Sequence, residues 1–351
     1  MSRSALLALL LAAPLAHAAP SLPAYREFDD WLVACDNTGH CEARGLQDRA
    51  DALALVLRRD AAAGAVPVLE LRALADPHLP PAFAFDGRAV PIDARDWFVH
   101  IEELDGADAY WLRSRGIAAV HKFVDAARRA QRVGIAGEHA HGSLAGLNAA
   151  LLFIDEVQGR VGTRGALLAR GERDDGAVPP PRPPPVLRAS PWSGAQPEAR
   201  DARRYLQRLP SPADCDDDAT PADGTLVAIS ASEAIALVPC LRGAYQTTYA
   251  LYRGPRAAPE RARPLTLVLD PLDGRRQPAL LANVAYDPAT ATLRAHAKGR
   301  GLFDCGDRAE WVFDGRTFEL ADYRRQDRCG GTAPGDFPVL WRTRVLAEPP
   351  R

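Results

Sequence analysis

The chain has 351 residues, 47% of them hydrophobic, and a formal net charge of −2. That balance makes no case for nucleic acid or for an anionic membrane surface as a partner. Lysine occurs only at Lys122 and Lys298, every other basic residue being arginine, so a single arginine carries little information by itself.

The first predicted element is a cleaved signal peptide over residues 1–18. Arg3 supplies the positive start, 5–15 is almost wholly apolar, and Ala16-His17-Ala18 puts small residues where a signal peptidase reads. The expected mature protein is periplasmic and soluble, because no later apolar run approaches the ~18 residues a membrane helix needs. The best candidate, 144–154, is short and contains Asn148.

From 24 to 173 the pattern reads as a β-sheet domain with two helices. Phe28, Trp31, Val33 and Cys35 open it as a strand, Leu53, Leu55 and Leu57 alternate with small or polar residues, and 66–71 and 97–101 read as further strands. Over 117–130 the period changes, placing Ile117, Val120, Val124 and Ala127 on one helical face. A second helix is predicted to start at Ser143 as N-cap, with Leu144, Leu147, Leu151, Ile154 and Val157 along one side. Six prolines among residues 179–185 mark a stiff linker over 174–200.

The second half, 201–349, opens with a short helix over 198–209 and then turns β. Residues 245–252, 265–269, 280–286 and 292–297 read as strands, and 340–346 as the last. Trp311-Val312-Phe313, Asp314-Gly315 and Thr317-Phe318-Glu319-Leu320 form the strongest hairpin signal in the chain. The expected fold class is therefore mainly β (α+β), with an antiparallel β barrel or sandwich as the C-terminal domain.

The six cysteines suit an oxidising compartment, and sequence alone permits 15 pairings. Independent folding of the halves requires Cys35–Cys41, and proximity in the chain favours Cys215–Cys240 and Cys305–Cys329. No C-x-x-C is present to suggest zinc.

Few residues carry chemistry. Glu138-His139-Ala140-His141-Gly142-Ser143 reads first as a polar loop before a helix, and second as the metal or base of an envelope hydrolase using His139, His141 or Asp304. Asp214, Asp216 and Asp218 begin like a calcium loop, but Ala219 and Thr225 stand where it needs Gly and Glu. Gly299-Arg300-Gly301 before Asp304-Cys305-Gly306 reads as a glycine-permitted turn with positive φ, locked by Cys305. The functional reading of this stretch makes Arg300 an anion fork oriented by Asp304. With Trp311 on the next strand, these are the candidate ligand-binding residues. No catalytic residue, cofactor or metal is called.

Two blocks, 28–37 followed by Cys41-Glu42-Ala43, and 299–306 followed by Trp311, Asp314-Gly315, Phe318, Leu320, Cys329 and Trp341, resemble the bacterial domain-of-unknown-function family numbered 1176. Pro239 and Leu241 depart from that family's Gly-Cys-Trp order around Cys240. Trp31 to Cys35 and Ser143-Leu144-Ala145-Gly146-Leu147 are also similar to the invasion-associated locus B proteins. The first resemblance implies an exported proteobacterial envelope protein and no reaction. The expectation is thus a non-enzymatic protein that binds an envelope partner or a small ligand through its C-terminal domain.

Overall fold

The structure, a computed structural model, describes residues 20–46, 53–74, 81–104, 107–210, 215–216, 220–330 and 332–347. The predicted signal peptide and most of the acidic loop around Cys215 lie outside these residues.

The first half runs β1 (Ala24–Phe28), β2 (Trp31–Cys35), β3 (Cys41–Gly45), β4 (Ala54–Arg59), β5 (Val68–Leu74), β6 (Ala82–Phe85), β7 (Arg88–Pro91), β8 (Trp97–Leu104), β9 (Ala107–Ser114), α1 (Ile117–Ala127), β10 (Arg132–Ile135), β11 (His141–Ser143) and α2 (Leu147–Val157). A seven-stranded sheet has the order β1-β2-β3-β4-β5-β9-β8, and a four-stranded sheet has β11-β10-β6-β7. The opening strand predicted from Phe28 to Cys35 is in fact a hairpin, because Asp29 takes a left-handed φ of 48° and turns the chain.

One face of the large sheet is apolar. Trp31, Val33, Leu55, Leu57, Leu69, Leu71, Tyr110 and Leu112 pack there in one core with Val120, Phe123 and Val124 of α1 and Leu147, Leu151 and Ile154 of α2. The stripe at 117–127 is the predicted one. The second helix starts three residues later than expected, its N-cap being Gly146 rather than Ser143. Ser143 belongs to β11, and its hydroxyl accepts from Ala145 N at 3.2 Å. Gly146 stands at the N-cap with φ 88°, where a Cβ would meet the Phe28 carbonyl oxygen. Only glycine fits that close approach, so the backbone geometry overrides the serine.

The second half runs β12 (Val186–Arg188), α3 (Ala199–Leu206), β13 (Thr225–Ala228), β14 (Glu233–Arg242), β15 (Thr247–Pro255), β16 (Arg263–Pro264), β17 (Thr266–Val268), β18 (Arg276–Pro278), β19 (Leu280–Ala282), β20 (Ala285–Asp287), β21 (Thr292–Lys298), β22 (Gly306–Phe313), β23 (Phe318–Gln326), β24 (Val339–Arg342) and β25 (Arg344–Leu346). Two antiparallel layers dominate, β13-β14-β15-β16 with β19 beside β15, and β20-β21-β22-β23-β24. Ile235, Leu237 and Leu251 from one layer meet Leu293, Trp311, Phe318 and Leu340 from the other. The fold is mainly β as expected. Of the two C-terminal forms considered, the sandwich is the one present, since no sheet among the described residues closes into a barrel.

The three disulfides pair as predicted, Cys35–Cys41, Cys215–Cys240 and Cys305–Cys329. The first joins facing residues of β2 and β3. The third closes the open end of the β22–β23 hairpin.

The two halves touch extensively. Ala34 and Tyr25 join the core of the second half. Asn37 exchanges two hydrogen bonds with the backbone of Arg342, and Arg44 donates to Asp336 O at 2.7 Å. The proline-rich segment takes part: Arg182 N donates to Thr38 O, and β12 pairs in parallel with β25.

Candidate functional site

The outward face of β21, β22 and β23 carries a concentrated group of polar side chains. Period-2 alternation puts Leu293, Ala295, Ala309 and Trp311 inward and Arg294, His296, Arg308 and Glu310 outward. Strand register then builds two cross-strand rows. One is Arg294, Glu310, Asp322 and Arg342, and the other is His296, Arg308 and Arg324. All of these but Arg342 line an open depression of about 390 Å³.

Most of its charges are already paired. Arg294 Nε meets Glu310 Oε1 at 2.9 Å, Arg324 Nε meets Asp322 Oδ1 at 3.0 Å, and Arg324 also donates to Gly335 O. Arg342 is committed to Asp36. Burial pushes the Asp322 carboxyl above its ordinary value, with Arg324 opposing. His296 stacks on Phe303 with centroids 5.0 Å apart; burial, then Lys298 and Arg308, push its pKa down. A histidine held neutral adds no charge near pH 7. The depression therefore sets three arginines against two carboxylates. The exposed Arg308 side chain makes no ion pair or hydrogen bond among the described residues. An arginine without a carboxylate offers a planar fork of donors to a carboxylate or phosphate.

The residues singled out from sequence fall elsewhere. Arg300 Nε donates to Asp304 Oδ1 at 2.7 Å, so its fork closes on the same turn. Asp304 is buried, and its carbonyl faces the Gln326 amide. Trp311 is inside the sandwich, 1% exposed, with its indole N–H donating to Val268 O at 2.8 Å, so a ligand on the surface does not reach it. Of the glycines in this turn, Gly306 takes the expected positive φ (127°), whereas Gly299 and Gly301 do not; the other positive φ is at Phe303 (54°), and nothing lies within 4 Å of a Cβ at Gly301 but the edge of the Tyr245 ring.

His139 and His141 are exposed, in the first half, and His141 Nδ1 lies 3.1 Å from His139 O. Asp304 belongs to the second half, and no hydrogen bond joins it to either histidine. Asp304, Cys305 and Cys329 lie close enough to share an ion, but both sulfurs are spent in their disulfide. Asp216 is used locally, accepting from Arg242 N.

Sequence reasoning passed over Arg294, Arg308, Glu310, Asp322 and Arg324. A signal was present, the repeated charged-apolar alternation at 293–296, 308–311 and 322–324. What local sequence does not contain is the register that lines the three strands up.

A second charged group sits at the far end of the same sheet, on its core side. Arg325 pairs with Asp270 at 3.1 Å and Asp327 at 2.7 Å, and stacks over Tyr25. Asp307 faces Arg325 across the strands, and burial raises its pKa from 3.8 to about 6. Between those two values the folded chain holds a proton the unfolded chain has lost. Stability therefore falls as pH rises through that window, and the full cost is present above about pH 6. Asp307→Asn is expected to be more stable at pH 7 by about 1–2 kcal/mol, the full shift being discounted for partial exposure, and to match the parent below pH 4. Urea unfolding at both pH values checks this; an equal or less stable variant at pH 7 refutes it.

A family model described as "Protein of unknown function (DUF1176)" matches residues 25–344. The chain is also 30% identical over 334 residues to the "Uncharacterized protein YpfG" of Escherichia coli (strain K12), covering 92% of this chain and 94% of that protein. No solved structure matches. The likeness to the invasion-associated locus B proteins remains one of a few residues, and Ser143, read there as a helix start, is in a strand.

Proposed function

This chain belongs to the DUF1176 family of proteins of unknown function, and from that premise we propose an exported, non-enzymatic envelope protein that binds a small acidic ligand on the outer face of its C-terminal sheet. The observation that carries this reading is Arg308, an unpaired cation in a depression whose other charges are neutralised. About 390 Å³ suits a small molecule. The flanking Arg294–Glu310 and Arg324–Asp322 pairs supply acceptors for a ligand's hydroxyl or amine groups.

Export is part of the proposal. Three disulfides suit an oxidising compartment, and no helix among the described residues is long and apolar enough to cross a membrane. So is the division into 24–173 and 201–349 joined by 174–200, which the largely separate cores of the two halves support. Nothing in the arrangement indicates an enzyme. The histidines and Asp304 of the hydrolase alternative lie apart, with no shared contact.

The test is a thermal-shift and calorimetric screen of the oxidised protein against carboxylates, phosphates and acidic sugars. At least one is expected to bind, and Arg308→Ala to weaken it about tenfold or more, the value of a charge-assisted hydrogen bond, with an unchanged melting temperature. Silence across the screen, or equal affinity in Arg308→Ala, ends the reading.

A further inference from the structure

Strand β8 forms one edge of the seven-stranded sheet, bonded to β9 alone. Among the described residues, 98–104 make no backbone hydrogen bond outside that ladder. An edge of eight residues is usually protected by lysine, proline or a bulge. Trp97-Phe98-Val99-His100-Ile101-Glu102-Glu103-Leu104 contains neither lysine nor proline, and its register with β9 is unbroken. Phe98 and Ile101 are each 43% exposed. Phe98 is held in place by His100, by Trp111 at 6.1 Å and by Arg115 over its ring.

Charge along the strand is asymmetric. At the Phe98 end, the Arg115 side chain donates, among the described residues, only to the backbone carbonyls of Ala94 and Trp97, and Arg113, 3.8 Å from Glu70, faces Phe98. At the other end stand Glu102, which pairs with Arg72 at 3.5 Å, and Glu103. Glu103 is exposed and makes no ion pair among the described residues.

We propose that β8 pairs antiparallel with β8 of a second copy of this chain, joining two seven-stranded sheets through a two-fold axis at His100. A two-fold axis normal to a sheet keeps each side chain on its own face. Centred on His100, it sets Phe98 beside Glu102 of the second copy and Val99 beside its Ile101. The basic end of each strand then meets the acidic end of the other, twice by symmetry. That self-complementarity is why the occupant is a second copy rather than an unrelated strand. The pairing covers the four exposed β8 side chains nearest the axis and satisfies the free backbone groups of the edge.

Light scattering after gel filtration and sedimentation over a concentration series are the measurements. The oxidised protein is expected to be a dimer that dissociates on dilution. Ile101→Lys and Phe98→Glu are expected to weaken it about tenfold or more, as loss of a central contact does. Arg115→Glu and Glu103→Arg should each weaken it, and the double variant should recover, which a merely structural role for either residue does not produce. Amides of 98–104 should gain hydrogen-exchange protection as concentration rises, a readout that needs no variant. A chain monomeric at every concentration overturns the proposal. So does a dimer indifferent to all four substitutions, or protection of 98–104 that appears only when another protein is added.

Discussion

Asp155→Ala is expected to cost about 3–5 kcal/mol, the largest loss from any single side chain outside the apolar core. Asp155 is fully buried at the end of α2. Its Oδ1 accepts from Leu167 N at 2.7 Å, and its Oδ2 from Leu168 N at 2.9 Å and Ala169 N at 3.1 Å. Burial raises its pKa, while those three donors and Arg59 pull it back. Arg59 and Arg160 are buried beside it, and each lowers its own pKa through lost hydration. Arg160 holds the carbonyls of Ala61, Ala62 and Ala63, and Arg59 holds Gly165 O. Removing the carboxylate strands three backbone N–H groups and leaves Asp175 as the remaining counter-ion of the two arginines. The segment from 160 to 175 then loosens. Urea unfolding should report the loss, and limited trypsin should open new cuts at Arg164, Arg170 or Arg173. A cost under about 1 kcal/mol means the segment is held by something else.

Gly306→Ala should follow, at about 2–4 kcal/mol, combining an unfavourable φ with overpacking. Gly306 has φ 127°, and an added Cβ would fall 2.0 Å from the carbonyl oxygen of Ala297 on the neighbouring strand. Gly306 directly follows Cys305, so strain there spreads into the disulfide-closed end of the hairpin. Gly301→Ala is the control and should be close to neutral, because nothing lies nearer its Cβ position than the Tyr245 ring at 4.0 Å. Melting temperatures of the two variants decide it; equal losses would mean the turn is strained throughout.

Local signals were readable where the chain itself sets the geometry. Asp314-Gly315 turns the β22–β23 hairpin as expected, with Gly315 at φ 93°. The α1 stripe and the disulfide pairing also follow from short-range pattern. Strand β14 was not among the expected strands, and it contains Pro239. It is accommodated at a register shift between Pro239 and Leu241, where the ladder is already interrupted. The strand expected over 280–286 is broken in two by Asn283, whose left-handed φ of 46° bends the chain between β19 and β20. The candidate site was the least legible part. Trp311 stood out by residue type, yet which face it occupies depends on the opposite sheet. Arg308, opposite His296 and Arg324 and two positions from Glu310, gains meaning only from what its neighbours are bonded to.

The contacts that join the halves are also a statement about time. Asn37 waits for Arg342, 305 residues further on, and Arg44 for Thr332 and Asp336. A chain that emerges from its N-terminus completes the helix-covered side of its large sheet early. The opposite side of β2 and β3, where Leu32, Ala34, Glu42 and Arg44 are buried in the finished molecule, stays bare until nearly everything else has emerged. Such contacts are slow because long loops must close first. Assembly is thus gated by the final strands, and the interval before they dock is when this protein most needs shielding from its own kind.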